Sequence, residues 1–571
     1  MKTTPEHLIR EYRSAGFWSD LRITDLFDAA VAADPEREAL VDAPNRHVLV
    51  GGLPQRLSFA ALERLVSGYA ASLLEKGLRP DDVLITQLPN IVEYVALYLA
   101  AMRIGVIVSP VPMQFRHREI GQMADLTKAR AILTIASFKG APHLPELGEL
   151  CATRHIGWWG LATNDATMPA GMQAFFAAPH ESDAARSLRS TLPTLPQSAD
   201  DIATICWTSG TEGMPKGVPR SHNHWLAISR AHYTGAKIAA GERLLNPFPL
   251  VNMAAIGGCM LSWLHCRGTL VLHHPLDLPV YLQQITEERI GYAIAPPAVL
   301  NMLIKDERLL ATVRLDSLRC IGSGSAPLDP GMIRGFKTRF GIEVVNIFGS
   351  NEGVSLLSNE DNTTDPEQRA VLFPRFGRAE IHWPDHPRTG IRTRIVDPTS
   401  GEEILQTELP GEMQITGPTV FDGYLNAAHI NAESFTPDGW FRTGDLFELQ
   451  GAEQPPRYYR FVGRLKQVIN RGGAKIAPEE LDLVLGEMLT VLEGAVVGYV
   501  DDVLGERVCA VVVPRPSAQI SLEDVREHFT KSGVAVFKHP ERLRIVAQLP
   551  RNSTGKVVRS ELAAIAATDS R

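Results

Sequence analysis

The run "WTSGTEGMPKGVPRSHNHW", Trp207 to Trp225, gathers groups suited to a polyanion. Gly210, Gly213 and Gly217 can take positive φ and bring backbone N–H groups against phosphate oxygens. Thr208, Ser209 and Thr211 add hydroxyl donors, and Lys216 adds a point charge. The run follows an apolar strand pattern and precedes a helix capped by Ser221, where backbone donors and the helix dipole favour phosphate. It is not a Walker A loop, because no Gly-Lys-Ser/Thr closes it. Glu212 would repel a triphosphate, so it is expected to face outward and pair with a cation.

Four further stretches carry groups that complement a nucleotide: "NIFGSNEG" (Phe348, Gly349, Ser350, Asn351, Glu352), "GWFRTGDL" (Asp445), "GRLKQVINRGGAKIAPEE" (Arg464, Lys466) and "LPRNSTGKVVR" (Lys556). Together with the first run they resemble, in order and across almost the whole chain, the motifs of the adenylate-forming superfamily: acyl- and aryl-CoA ligases, peptide-synthetase adenylation domains and beetle luciferases. The resemblance implies an ATP site in which Phe348 stacks on adenine, Asp445 accepts from both ribose hydroxyls, and Arg464 contacts the ribose. It also implies that Glu352 holds Mg²⁺ and that Lys556 is the catalytic lysine. Asn351 stands where Thr is usual, and its amide can still donate to the α-phosphate. Attack of a carboxylate on an α-phosphorus brings anion against anion, so the chemistry needs these cations and donors.

The same resemblance makes Lys466 the pivot of a small C-terminal domain that turns between two half-reactions. Gly472 and Gly473 then leave room for a slim pantetheine arm, from CoA or from a carrier protein; a plain hairpin turn is the alternative for them. Asn470, where many relatives carry Lys, is shared with aryl-acid adenylating enzymes that load carriers, whereas "GSGSAPL" is closer to acyl-CoA ligases. The acyl pocket is expected at Asn252, Met253 and Gly257 of "PLVNMAAIGG", with Ser323 and Gly324. No Asp there pairs with an ammonium, and no Arg or Lys grips a second carboxylate. A neutral, hydrophobic monocarboxylic acid follows: aromatic, alicyclic or medium-chain. A luciferase-like oxygenase and a non-catalytic nucleotide binder are the other readings, the second opposed by Lys556, Asp445 and Glu352 occurring together.

The elements that must position these residues alternate. From Leu57 onward helical patterns and short apolar runs succeed one another, as parallel strands with helical crossovers require. Glu181 to Asp201 reads as a linker or exposed loop, after which a second α/β block follows, with polar motifs at strand C-terminal ends. After Glu380 the pattern becomes β-rich, and the last hundred or so residues alternate helix and strand. The expected fold is α/β: an N-terminal adenylation domain over 1–465, built of two α/β subdomains and a β-rich one, and a mobile α+β domain over 466–571.

A chain of 571 residues exceeds one core. With 44% hydrophobic and 21% charged residues it reads as an ordinary globular enzyme. A net charge of -8 and the lack of a basic stripe argue against nucleic acid. Six scattered cysteines read as buried thiols of a reducing compartment, and neither a signal peptide nor a membrane span is evident, so a cytoplasmic monomer or homodimer is expected.

Overall fold

The computed structural model describes residues 1–163, 167–208, 215–353, 355–383, 390–472, 474–501, 503–552 and 556–568. Ser209, Gly210, Thr211, Glu212, Gly213 and Gly473, named above, lie outside the described residues.

Short apolar runs separated by helices can pair in parallel only through crossovers, and two sheets with parallel interiors and antiparallel edges form. A seven-stranded sheet runs from Lys216–Ser221 through Ile202–Thr208, Ile107–Pro110, Val83–Thr86, Ala131–Ile135 and Gly157–Leu161 to Gln173–Phe175. An eight-stranded sheet runs from Ser355–Ser358 through Glu343–Gly349, Cys320–Gly324, Tyr292–Ile294, Arg243–Asn246, Thr269–Leu272 and Glu38–Val41 to Arg56–Ser58. The two blocks are therefore not successive in the chain. Glu38–Val41 joins the second sheet, pairing in parallel with Thr269–Leu272, and Ile202–Thr208 joins the first.

Helix Val92–Arg103 shows why the sheets stay together. All of its residues are buried, and its cluster includes Leu84 and Leu133 of one sheet and Leu40 and Leu270 of the other. An element apolar on every side must be covered on every side. Its charged members are neutralised locally: Glu93 accepts from Arg46 at 2.7 Å, and Arg103 donates to Glu63 at 2.7 Å.

The stretch expected as a linker contains a helix, Asp183–Thr191, whose first turn is capped by the Ser182 hydroxyl accepting from the Ala185 N–H at 3.1 Å. Ala185 and Leu188 are buried, so a short apolar stripe, hidden among Ser and Arg in the sequence, docks the segment.

Residues from Leu372 to Arg464 form an antiparallel five-stranded sheet around Phe373, Phe447 and Tyr459. The chain leaves it through the exposed turn Leu465–Gln467. Beyond lies, among the described residues, another five-stranded sheet with its own cores and the α-helices Pro478–Gly486, Leu522–Lys531 and Arg559–Ala567. The cysteines are all free and buried, as expected. Among the described residues no helix is long and apolar enough to cross a membrane.

Candidate active site

The described flanks of the Trp207–Trp225 run are two antiparallel strands: Thr208 pairs with Lys216 and Trp207 with Gly217. Ser221 does cap the next helix, its hydroxyl accepting from the His224 N–H at 3.2 Å. A strand, Lys216–Ser221, separates that helix from Lys216, however. The helix dipole is thus a whole strand away from the Lys216 ammonium's end of the run. Thr208 Oγ1 is buried with no partner among the described residues.

Lys216 reaches the centre of the site. Its ammonium lies over the Tyr424 ring, 4.3 Å from the centroid, and the Tyr424 hydroxyl donates to Glu352 Oε1 at 3.0 Å. Burial pulls the Lys216 ammonium below the usual lysine range, and Lys466 acts in the same direction against the pull of Glu352. Burial and the Glu352 carboxylate together push the Tyr424 hydroxyl up, so it remains a donor.

Phe348 ends the strand Glu343–Gly349, half-buried, with Phe447 at 5.0 Å edge-on and Phe461 at 5.6 Å. Gly349 and Ser350 follow it, half-buried, at the strand end. Asn351 is more committed than expected. Its Nδ2 donates to the Trp207 carbonyl at 3.1 Å and its Oδ1 accepts from the Met253 N–H at 2.9 Å, bracing the strand Ile202–Thr208 against the helix start of the expected acyl region. One amide proton is left for a phosphate.

Asp445 and Arg464 face each other across paired strands, with Arg464 Nε 3.2 Å from Asp445 Oδ1. Thr443 Oγ1 accepts from the Asp445 N–H at 3.1 Å. Burial raises the Asp445 carboxyl to about 6, against the opposing pull of Arg464 and Lys556. Lys556, from the last sheet's side of the molecule, is close enough to feel this group: burial and Arg464 lower its ammonium below the lysine range, while Asp445 and Glu352 oppose them. Lys466 sits exposed on the connecting turn.

The expected acyl residues divide. Asn252 is half-buried and caps the next turn, its Oδ1 accepting from the Ala255 N–H at 3.1 Å. Met253 belongs to the largest core. A Cβ on Gly257 would meet Ile228 at 2.9 Å and Trp225 at 3.2 Å, so close approach of two helices already explains this glycine. The Ser323 hydroxyl, buried, donates to the Ala295 carbonyl at 2.8 Å, and at Gly324 the Ile347 carbonyl occupies the place of a side chain. Gly472, at φ +57°, starts the turn that joins Ile469–Arg471 to Ala474–Ile476, the hairpin alternative named above, and is exposed.

A family model described as AMP-binding enzyme matches residues 27–425, and one described as AMP-binding enzyme C-terminal domain matches residues 480–556. The chain belongs to the AMP-binding enzyme family. It is an adenylate-forming, ATP-binding ligase of mixed α/β fold with a large N-terminal and a small C-terminal domain. Over 569 residues it is 29% identical to a 2-hydroxy-7-methoxy-5-methyl-1-naphthoate–CoA ligase of Streptomyces carzinostaticus, covering 98% of this chain and 96% of that one. It is also 29% identical, over 98% of this chain and 96% of the other, to a salicylyl-CoA synthase / salicylate adenylyltransferase of a Streptomyces species. ATP-bound MatB from Rhodopseudomonas palustris shares the fold at a TM-score of 0.74, with 24% identity over 95% of this chain and 99% of that one.

Two residues of this AMP-binding enzyme escaped the sequence reading. Tyr424 has no local signal, because its partner Glu352 is 72 residues away. Arg220 had none either: it lies in the strand Lys216–Ser221, whose Lys, Gly, Pro, Arg and Ser give no sign that the guanidinium is fully buried.

Proposed function

We propose that this AMP-binding enzyme joins a hydrophobic monocarboxylic acid to the α-phosphorus of ATP, releasing pyrophosphate, and then passes the acyl group from the acyl-adenylate to the thiol of CoA, releasing AMP. The observation that carries the reading is that the buried Lys556 ammonium, from the C-terminal part of the chain, feels the charges of Arg464, Asp445 and Glu352. In that arrangement Asp445 accepts from the ribose hydroxyls, with Arg464 keeping its carboxyl ionised, and Phe348 offers a ring face to the base. The Lys556 ammonium stabilises the charge that builds at the α-phosphorus as the acid attacks, and Lys216 stabilises the departing pyrophosphate.

Among the described residues no group of three or more His, Cys, Asp or Glu can cage a metal. That fits Mg²⁺ brought in on phosphates, which needs only one or two carboxylates. Glu352 would hold it, with Tyr424 fixing one carboxylate oxygen and leaving the other, and Thr208 Oγ1 is a further oxygen without a partner among the described residues. The ion supplies positive charge to the phosphate oxygens when bound.

The neutral residues Asn252 and Met253 in the expected acyl region and the two-ring and one-ring aromatic acids in the relatives' names favour an aromatic acid first. Transfer to a carrier protein is the second reading, favoured by Asn470, which is exposed on its strand. A pyrophosphate-release screen over benzoates, naphthoates, alicyclic and medium-chain acids, with and without CoA or a phosphopantetheinylated carrier, tests both. The expected result is magnesium-dependent release with an aryl acid and consumption of the adenylate by CoA. Folded enzyme that forms no AMP with any acid would overturn the reading.

A further inference from the structure

Arg220 has 0% of its surface exposed, and no carboxylate among the described residues pairs with it. Its donors go to two carbonyls on separate segments. Nε donates to Asn351 O at 2.9 Å, with Nη2 on the same oxygen, and Nη1 donates to Thr419 O at 2.6 Å. Burial lowers the guanidinium to about 10 against the pull of the Glu352 and Asp422 carboxylates, so it remains charged at neutral pH. The Trp225 ring centroid lies 6.0 Å from it and neither carboxylate bonds it, and a buried cation bonded directly only to neutral carbonyls is costly; an apolar side chain of similar volume often serves stability equally well. The charge therefore calls for a reason in geometry.

That reason is the joint around it. The Phe421 N–H donates to the Glu352 carbonyl at 3.0 Å, and the Leu425 N–H donates to the Gly217 carbonyl at 2.9 Å. The strand of Lys216, the turn of Glu352 and the segment of Tyr424 thus meet where Arg220 ties the first to both others. At Gly353, φ +117°, an added Cβ would strike the Thr419 carbonyl and lie 2.6 Å from Val420 Cα, so the joint has no slack.

We propose that Arg220 is a positioning residue: by holding the Asn351 and Thr419 carbonyls it keeps Glu352 on Tyr424 and near Lys216, and so sets how strongly Mg²⁺ tightens ATP binding. This rests on the reading of the site as the ATP site. A lysine, with its single point of charge, cannot span both carbonyls as the guanidinium fork does.

The test is calorimetric titration of α,β-methylene-ATP with and without Mg²⁺, and of adenosine without metal, into wild type, Arg220→Lys, Arg220→Met and Gly353→Ala. Gly353→Ala pries the same joint open while keeping the charge. In wild type, Mg²⁺ should tighten the analogue by about tenfold or more, and each folded variant should lose most of that gain while adenosine affinity stays within about twofold. Adenosine is the control because it carries no phosphate for Asn351, whose carbonyl Arg220 holds, and because Asp445 is held by Thr443 and Arg464, outside the joint. An undiminished Mg²⁺ gain in variants that still melt cooperatively overturns the inference, as does equal loss of adenosine and ATP-analogue binding, which marks a general structural role. Wild type that binds neither adenosine nor the analogue would instead sink the ATP-site reading, and the inference with it.

Discussion

Asp445 is a carboxyl whose environment pulls two ways, and its titration is open to measurement. With its carboxyl raised to about 6, it is half protonated near that pH. Only the ionised form accepts hydrogen bonds from both ribose hydroxyls. Adenosine, whose ribose carries no titrating phosphate, should therefore bind with constant affinity above about pH 7 and weaken toward tenfold per unit below about 6. Asp445→Asn should bind weakly with no such slope; a wild-type affinity flat from pH 5 to 8 would remove Asp445 from the ribose site. Lys556 tests the other half of the site. On the proposed function its ammonium is needed while charge grows at phosphorus, so Lys556→Ala should cut pyrophosphate exchange by about a hundredfold or more, near 2.7 kcal/mol. Thioester formation from supplied acyl-adenylate should change little, and parallel loss of both half-reactions would contradict that division. Both residues were legible in the sequence because each sits in a short motif. Tyr424 was not, since nothing near it in the chain says that Glu352 and Lys216 converge on its ring and hydroxyl.

At the scale of elements, patterning located the strand ends that carry Phe348 and Thr208 and the helix capped by Ser221. It missed the strand between the phosphate loop and that helix, because Lys216–Ser221 holds Gly, Pro, Arg and Ser and shows no apolar alternation. Its strand character comes from pairing with Ile202–Thr208, a tertiary contact that overrides propensity. Gly257 illustrates the same limit. A small residue near an expected pocket looks like a pocket wall, yet here it lets one helix approach another. Gly257→Ala should therefore overpack Ile228 and Trp225, costing about 1–3 kcal/mol and lowering the Tm in calorimetry, while the order of preference among acids stays the same. A changed order with unchanged Tm would return Gly257 to the pocket.

For the whole molecule, the exposed Leu465–Gln467 turn is the only covalent path between the Asp445 sheet and the body that carries Lys556. Lys466→Pro fixes φ at that turn. It should leave pyrophosphate exchange near wild type and depress thioester output, as read in paired half-reaction assays; normal thioester output would exclude a pivot there. The sequence by itself determined the family chemistry, the alternation of α and β, and the order of the motifs, because each of these is written in residues close together in the chain. Only the tertiary structure decided that the two mixed sheets exchange strands, that helix Val92–Arg103 shares a core with both, and that Arg220, Tyr424 and Asn351 brace the site. Those features depend on groups far apart in the chain meeting out of water, where an unmet carbonyl or charge is costly, and local spacing carries no record of such partners.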